Sequence, residues 1–370
     1  MKLNTQARSL FLPLLAAAAL AACSDDSSGP TENFTGPTGF ALLGASNPID
    51  ITPDGQTVVA QDLMGSLEGN LYFYEVATGN YSLKTKVGSP FLDFATGVSG
   101  NLKVSAIYGE PAQTGVWSES TGWTIIPSSF PEACDPQVGG AWDVSTDGLV
   151  MVGFEWNGCA VQAMRWTDAA GTWTTQPLEL IGSSFPDNPN PPSNRATVVS
   201  GNGQVAAGWA QTEFADRRPA VWQADGSGSF LAAGVTDDTP GEVLAINDDG
   251  SIMTGVWGGQ GFVWTAGTAN FIESLPSDDP FAITAPNAIA ANGQLVFGGS
   301  GGKAFVWTAA GGTRSLQDIA AAAGVAMEGG LVLQVVKAAS ADGTIVIGQA
   351  YNKNKTSTFV LKLPVSAYGL

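Results

Sequence analysis

The sequence predicts an all-β fold, a seven-bladed β-propeller in which an N-terminal strand closes the last blade. Three observations predict it: a turn dipeptide recurs seven times, a tiny residue follows each turn, and an aromatic strand comes next. Self-similarity at a period of roughly 40–50 residues indicates a repeat protein, and four short strands per repeat make one propeller blade. The composition agrees, because 47 glycines and only 13% charged residues favour strands and tight turns over helices.

The recurring turns are Asp-Gly, Asn-Gly and Ser-Gly dipeptides, the first two of which tolerate the positive φ that a tight hairpin needs. They lie about 43 to 55 residues apart, at Asp54-Gly55, Ser99-Gly100, Asp147-Gly148, Asn202-Gly203, Asp249-Gly250, Asn292-Gly293 and Asp342-Gly343. A tiny residue five positions after each turn glycine indicates the close approach of another backbone or a large neighbour. These residues are Ala60, Ser105, Gly153, Gly208, Gly255, Gly298 and Gly348.

An aromatic strand follows each turn, with a degenerate copy in the last unit, and we expect its tryptophans in the core. The tryptophans are Trp117, Trp166, Trp222, Trp264 and Trp307. The resulting propeller spans residues 40–370. Its units are predicted at approximately 45–90, 91–137, 138–192, 193–240, 241–284, 285–330 and 331–364.

Both ends of the repeat region indicate a closed ring. The seventh unit stops at its third strand, near Phe359 to Leu363, while a spare strand stands at Gly39 to Gly44. Borrowing the spare strand completes the blade and removes two open sheet edges. The alternative is an open β-solenoid, whose shorter rungs are not visible in this repeat.

The first 39 residues predict export and anchoring. Residues 1–22 fit a signal peptide, with Lys2 and Arg8 ahead of an apolar stretch too short to span a bilayer. The following Cys23 completes Leu-Ala-Ala-Cys, which resembles a bacterial lipobox and implies a lipidated Cys23, with an ordinary signal peptide as the alternative. Residues 23–39 are polar and predict a flexible tether. We therefore expect a protein of the bacterial cell envelope, lipid-anchored at the outer membrane or cell surface.

Charge and missing residue types limit the chemistry. Without residues 1–22 the chain has 13 basic and 33 acidic residues, so it is expected to repel nucleic acid. It has no histidine, which excludes histidine-based catalysis and the common zinc ligand. We predict no catalytic residue, no cofactor and no metal site. Solvated turns account for three acidic pairs that a calcium site would otherwise use, Asp237-Asp238, Asp248-Asp249 and Asp278-Asp279.

Several repeats resemble known families. Thr52-Pro53-Asp54-Gly55 is similar to the turn of TolB-like and WD40-like propeller repeats, and the later units resemble the extracellular HAF repeat family. The segments that carry the HAF resemblance are 305–312 and 338–348, with a short helix implied at 316–325. The histidine that names that family is absent here. The resemblance implies an exported repeat protein and supplies no catalytic residue.

Two cysteines remain besides Cys23, and an exported protein favours their pairing. Cys134 precedes the inner strand of the third unit and Cys159 follows its second strand. Because both points lie at the same end of an antiparallel blade, we predict a Cys134–Cys159 disulfide.

Aromatic residues predict a binding surface on the same face. Five of them lie near the outgoing ends of second strands: Tyr108, Trp156, Trp209, Trp257 and Tyr351. A rim of flat rings can stack on sugars or hold peptide side chains, and the proline-rich loop 185–192 and the basic pair Arg217 and Arg218 are expected there too. The alternative is that these rings pack between blades.

The functional hypothesis is a non-catalytic binding or scaffolding module for a glycan or protein partner, attached to the membrane through its lipid. One alternative is a polysaccharide hydrolase or lyase. It would use Asp50 and Asp143, which occupy equivalent places on inner strands of the first and third units and could approach the central channel. The structural explanation of these carboxylates is that they cap turns or accept hydrogen bonds from backbone amides. The other alternative is a purely structural envelope protein.

Overall fold

The computed structural model describes ten segments of the 370-residue chain. They are residues 34–44, 47–62, 69–87, 94–109, 112–130, 139–183, 191–212, 216–231, 239–279 and 282–370. The predicted signal peptide, the lipidation site Cys23, most of the tether and Cys134 lie outside the described residues.

The described residues form seven four-stranded antiparallel sheets, so the fold is the seven-bladed β-propeller that the sequence predicts. The strands of each blade are given from the centre outward. Blade 1 comprises Asn47–Ile51 (β2), Thr57–Asp62 (β3), Gly69–Glu75 (β4) and Asn80–Val87 (β5). Blade 2 comprises Phe94–Val98 (β6), Val104–Tyr108 (β7), Gln113–Ser118 (β8) and Gly122–Ile126 (β9), and blade 3 comprises Gly140–Val144 (β10), Val150–Asn157 (β11), Ala160–Ala169 (β12) and Thr172–Pro177 (β13).

Blades 4 to 6 have the same order. Blade 4 comprises Asn194–Val199 (β14), Val205–Gln211 (β15), Arg217–Gln223 (β16) and Gly228–Phe230 (β17). Blade 5 comprises Gly241–Ile246 (β18), Ile252–Trp257 (β19), Gln260–Thr265 (β20) and Thr268–Phe271 (β21). Blade 6 comprises Thr284–Ile289 (β22), Val296–Ser300 (β23), Lys303–Thr308 (β24) and Gly312–Ser315 (β25). A helix, Leu316–Ala322 (α1), follows blade 6 within the segment where the HAF resemblance implies one.

Blade 7 closes the ring with both chain ends. Its strands are Val332–Ala339 (β26), Ile345–Asn352 (β27), Lys355–Lys362 (β28) and, outermost, the N-terminal Gly39–Leu43 (β1). Strand β1 pairs antiparallel with β28 from Gly39 opposite Lys362 to Leu43 opposite Thr358. The inner strands contact one another in sequence, and β26 contacts β2. A short 3₁₀ helix, Val365–Tyr368, ends the fold.

The Asp-Gly turns share one hydrogen-bond pattern, which explains their sequence. In blade 7, the hydroxyl of Ser340 donates to Asp342 Oδ1 at 2.6 Å and accepts from Ile345 N at 3.0 Å. Asp342 Oδ1 also accepts from Thr344 N at 2.9 Å. Gly343 follows with φ 71°, a conformation that costs glycine little. All seven turns lie on one side of the ring, here called the turn face.

Blade 2 departs from the predicted repeat. Its turn is Asn101-Leu102 rather than Ser99-Gly100, because Leu102 occupies the glycine position with φ 62° and donates its N–H to Ser99 O. The small residue of this blade is therefore Ala106, which pairs with Ala95, and not Ser105. A turn one residue shorter than the others hid this register in the sequence.

Backbone hydrogen bonds join neighbouring blades on the turn face. Gly100 N donates to Thr146 O at 2.8 Å, Thr146 N to Gly201 O at 3.0 Å, and comparable bonds continue to Ala341 N, which donates to Pro53 O at 2.8 Å. Proline has no N–H, so Pro53 cannot extend the series to blade 2. The ring of turns is thus bonded at six of its seven joints among the described residues.

A β-bulge in the inner strand of every blade explains the tiny residues. The bulged residues are Ile49, Thr96, Trp142, Thr197, Leu244, Asn287 and Lys337. Each bulge pushes a carbonyl oxygen against the second strand. A Cβ built at Gly208 would lie 2.2 Å from Arg195 O, and one at Gly255 2.0 Å from Glu242 O. Close backbone approach is therefore the reason for glycine, as the sequence predicts.

The core lies between blades rather than in one central cluster. Trp166 and Trp222 are fully buried and Trp117 nearly so, whereas Trp264 and Trp307 are half-buried against neighbouring core residues. Among the described residues, no helix has the length and apolarity that crossing a bilayer requires.

Candidate ligand-binding site on the loop face

The side of the ring opposite the turns is here called the loop face. Inner strands begin on it, and second and outermost strands end on it. The longest segments that link two blades are 127–139, 178–193, 231–240, 272–283 and 316–331. Parts of them, including most of the predicted proline-rich loop 185–192, lie outside the described residues. Long loops on a rigid scaffold are where binding residues concentrate.

Four side chains from blades 3 and 4 form an alternating stack on this face. The guanidinium of Arg195 lies 4.2 Å from the ring centre of Trp142 and 5.7 Å from that of Trp209. Arg217 also lies over Trp209, at 4.2 Å. We call Trp142, Arg195, Trp209 and Arg217 the Trp–Arg stack. Cation–π contacts of this kind stabilise a cation against a ring by about 0.5–2 kcal/mol each.

Blade 5 adds a carboxylate to the stack. Glu242 Oε1 accepts from Arg195 Nη2 at 2.6 Å and from Thr197 Oγ1 at 2.5 Å. The pair is largely buried, with side-chain exposures of 10% for Arg195 and 16% for Glu242. Desolvation lowers the pKa of Arg217, the charge of Arg195 lowers it further, and Glu242 opposes that effect. Two cations therefore share one described carboxylate.

Three buried donors in the stack lack an acceptor. They are Trp142 Nε1, Arg195 Nε and Trp209 Nε1. Buried N–H groups are nearly always hydrogen-bonded, so these three donors can serve an acceptor from outside the described chain. Trp142 is also half-buried, so part of its indole remains accessible.

The structure places two of the predicted residues, Arg217 and Trp209, in this site, and it shows which side chains cover Trp209, Trp257 and Arg218. Trp209 is 5% exposed and Trp257 only 2%, so neither presents a free ring face to a ligand. Arg195 and Arg217 flank Trp209, while Trp257 packs against Phe262 at 5.8 Å. Arg218 is half-buried, as Arg217 is, and lies over the ring of Phe230 at 4.9 Å. The position of these residues near strand ends predicted accessible side chains, but neighbouring strands of the same blade cover them.

The other predicted aromatics do not form a continuous rim. Tyr108 stacks on Trp123 at 4.6 Å, so one of its faces is occupied. Trp156 is half-buried beside Phe154 and Val161. Tyr351 is 37% exposed, and its hydroxyl donates to Asn354 Oδ1 at 2.8 Å. Ligand binding by these residues stays a prediction.

The structure describes one of the two cysteines of the predicted disulfide. Cys159 lies in the turn between β11 and β12 on the loop face and is disulfide-bonded. Its expected partner, Cys134, lies outside the described residues, so their pairing stays a prediction.

The carboxylates of Asp50 and Asp143 accept hydrogen bonds from backbone amides, which is the structural role expected from the sequence as the alternative to catalysis. Asp50 accepts from Ile51 N and, across the joint between blades 1 and 2, from Val98 N, both at 2.8 Å. Asp143 accepts from Val144 N and from Val199 N of blade 4, again at 2.8 Å. Each carboxyl group therefore joins two inner strands.

Burial dominates the titration of both groups. Desolvation raises the pKa of Asp50 to about 6 and that of Asp143 to about 8, against the hydrogen bonds from backbone amides. The charge of Asp50 raises the pKa of Asp143 further, so the two groups interact across the intervening Gly97. A Cβ at Gly97 would lie 3.1 Å from Asp143 Oδ1, which shows how tightly the carboxyl group packs there.

The acidic pairs act in turns where they are described. Asp249 Oδ1 accepts from Ser251 N at 2.9 Å and from Asn247 Nδ2 at 2.8 Å. Asp237 and Asp238 lie outside the described residues. Among the described residues, no group of three or more histidine, cysteine, aspartate or glutamate side chains is placed to hold a metal ion.

Sequence reasoning missed Trp142, Arg195 and Glu242. A signal for them exists in the repeat itself, because Trp142 occupies the bulge, and Arg195 and Glu242 occupy the residue two before it, where no other blade has a charged side chain. Aligning all seven inner strands on the turn would have marked Trp142 as the largest side chain at its position.

Comparison with solved structures returns propellers of varied function. A Vibrio parahaemolyticus oligogalacturonate lyase has a TM-score of 0.54 at 11% identity, covering 89% of this chain and 98% of its own. Virginiamycin B lyase from Staphylococcus aureus has 0.52 at 11%, covering 88% and 99%. The Cps50 (Swd1) propeller domain of Myceliophteria thermophila has 0.51 at 9%, covering 88% and 100%. At these identities the likeness concerns the fold alone.

Comparisons with protein-family models and with curated proteins give no match. The fold is therefore shared with two different lyases and with the Cps50 (Swd1) propeller domain, and it does not select a function.

Proposed function

We propose that this chain is an exported, lipid-anchored propeller of the bacterial envelope, similar to HAF repeat proteins, that binds a glycan or protein partner through its loop face. The observation that carries the proposal is the Trp–Arg stack with Glu242. It gathers an accessible indole, two guanidinium groups, a carboxylate and three unpartnered donors at the junction of blades 3, 4 and 5. Aromatic faces combined with arginine are typical of binding hot spots.

The charge of the molecule supports the same conclusion. After removal of residues 1–22 only 13 basic residues stand against 33 acidic ones, yet two arginines of this small set flank a single indole. Holding like charges together costs free energy, which a bound partner with acceptor groups would recover. On the turn face, Lys103 lies 5.4 Å from the ring centre of Trp173 and pairs with Asp168 at 2.8 Å, but this cluster holds one cation rather than two.

The test starts with the lipidated full-length chain, extracted in detergent and screened against a glycan array and against envelope proteins in pull-downs. The variants Arg217→Gln and Trp142→Leu are then compared with wild type for any ligand captured. Lys84→Gln is the matched control, because Lys84 is also a cation over an aromatic ring, 5.7 Å from Phe73, but lies in blade 1. We expect at least about a tenfold loss of affinity for the first two variants and no change for the control.

Equal binding by all three variants contradicts the assignment of the site. The catalytic alternative has its own outcome: polysaccharide cleavage by wild type that disappears in Asp143→Asn replaces the binding proposal by a hydrolase or lyase. Asp50 and Asp143 have separated pKa values, which such a reaction needs, but both already bond backbone amides of neighbouring blades. These bonds favour the binding proposal.

A further inference from the structure

A cavity lies away from the Trp–Arg stack, between blades 6 and 7. It is an open cleft of about 940 Å³, bounded by α1, by the edge strand β25 and by the start of β26. We call it the α1 cleft. Its volume is in the range of small-molecule sites, which usually combine apolar walls with a few polar groups.

The walls of the α1 cleft are mainly apolar. Ile319, Ala322 and Ala323 come from α1, and Val332 and Leu333 from β26. Val332 is 37% exposed, although it stands at the beginning of an inner strand. Helix α1 itself is fixed, because the side-chain amide of Gln317 donates to Leu331 O at 2.9 Å and accepts from Leu333 N at 3.1 Å. The apolar surface is therefore held open by a rigid element.

Two cations line the same cleft, Lys303 and Arg314. Within the part of the chain that the structure describes, neither has a carboxylate within 4 Å. Lys303 is exposed and only approaches Pro276 O at 3.4 Å. Arg314 is positioned by donating through Nη2 to Tyr368 O, while its buried Nε has no acceptor. Thr313 Oγ1, also in the lining, is buried and unpartnered as well.

The charge of the lining selects the ligand. The acid in this lining, Asp318, stands exposed on α1 and bonds neither cation, so among the described residues the positive charges of Lys303 and Arg314 are not neutralised at the cleft. Positive groups beside apolar walls complement an anion that carries an apolar chain. We propose that the α1 cleft binds a carboxylate on an apolar chain, with Lys303 and Arg314 facing the carboxylate and Ile319, Ala323 and Val332 contacting the chain.

The experiment measures binding of octanoate to the full-length protein by isothermal titration, with octanamide and acetate as matched probes. Octanoate is expected to bind at least about tenfold more tightly than octanamide, which lacks the charge, and than acetate, which lacks the chain. The tripeptide acetyl-Ala-Leu-Leu and its amide form a second pair. In each pair, the affinity of the carboxylate is compared with that of the amide. The pair with the larger ratio shows whether the site prefers the carboxylate of an acyl chain or that of a peptide C-terminus.

Variants then locate the site. Lys303→Met removes an exposed charge and is expected to weaken octanoate binding about three- to tenfold, and Ile319→Asp to abolish it. Lys355→Gln removes an exposed charge outside the lining and should leave binding unchanged. Equal binding of octanoate and octanamide, or octanoate binding that Lys303→Met and Ile319→Asp do not change, overturns the proposal. Because the cleft is separate from the Trp–Arg stack, either site can fail without the other.

Discussion

The turn face joins neighbouring blades by backbone hydrogen bonds at six of the seven described joints, whereas the loop face joins blades 3, 4 and 5 by side chains of tryptophan, arginine and glutamate. Backbone bonds depend on shape and turn type, so one kind of turn, ending in Asp-Gly or Asn-Gly, serves six of the seven blades, and blade 2 has Asn101-Leu102 instead. Side-chain contacts depend on residue identity and differ between blades. The comparison indicates that the turn face maintains the ring and that the loop face carries what is particular to this protein.

The joint between blades 1 and 2 shows how the two kinds of contact substitute for each other. Pro53 cannot donate a backbone bond there. Instead, Asp50 accepts from Val98 N at 2.8 Å and Gln61 Oε1 accepts from Ala95 N at 3.0 Å. Polar side chains therefore connect the inner strands at the one described joint that the backbone leaves open.

The largest expected effect comes from breaking the common architecture at a bulge. In Gly298→Val the new Cβ would lie 2.1 Å from Ala285 O, so strand β23 must move away from β22. We expect a loss of at least about 3 kcal/mol of unfolding free energy, read as a marked fall in melting temperature. The control is Gly329→Val, because nothing lies within 4 Å of a Cβ built at Gly329. Similar melting temperatures for both variants would show that the bulges tolerate side chains.

The next effect depends on pH. Asp143 has a pKa raised from 3.8 to about 8, so the folded chain binds more protons than the unfolded chain between these values. Stability therefore falls as the pH rises from about 4 to about 8, by an amount on the order of 2–4 kcal/mol. Asp50, with a pKa of about 6, adds a loss confined to the lower part of this window.

Asp143→Asn tests this pH dependence, because asparagine does not ionise. At pH 5 the variant is expected to be less stable than wild type, since its amide cannot accept both backbone bonds. The difference should shrink or reverse by pH 8. Melting curves at pH 5, 6, 7 and 8 measure it, with Asp318→Asn as an exposed control. Parallel curves for wild type and Asp143→Asn would mean that Asp143 titrates normally.

A smaller effect is expected from one turn. Ser340→Ala removes the hydroxyl that bonds Asp342 and Ile345, and we expect a loss of about 1–2 kcal/mol because Ser340 is buried. Blade 6 provides an internal reference, since Ala290 occupies the equivalent position naturally. The reverse change, Ala290→Ser, should gain no more than about 1 kcal/mol. Denaturant unfolding of both variants measures the pair, and an unaffected Ser340→Ala would remove this turn from the explanation of stability.

The fold was predictable because its determinants are local and repeat seven times. Turn glycines, small second-strand residues and the spare N-terminal strand each occupy fixed positions in the sequence, and the structure confirms the closed seven-bladed ring. The exception, Leu102, was missed because one residue is deleted from that turn, which shifts the pattern toward Gly100.

The candidate site was less predictable, since it depends on contacts between blades. Arg217 was predicted on the loop face, but Trp209 is covered by Arg195 and Arg217 of its own blade, and Trp257 by Phe262 of its own blade. Trp142, in contrast, is partly buried under Arg195 of the next blade. Burial of this kind follows from the blade-to-blade register, which a single repeat does not encode. Asp50 and Asp143 were placed in equivalent positions, and their amide bonds to the next blade came only with the structure.

The central claim is that the fold and the function are maintained by opposite faces of the ring. The most direct measurement compares Arg217→Gln and Ser340→Ala in parallel, recording melting temperature and capture of the ligand found by the screen. The account predicts that Arg217→Gln loses capture with a nearly unchanged melting temperature, and that Ser340→Ala melts earlier but captures as wild type does. Loss of capture in Ser340→Ala at a temperature where it is folded, or full capture by Arg217→Gln, would contradict it.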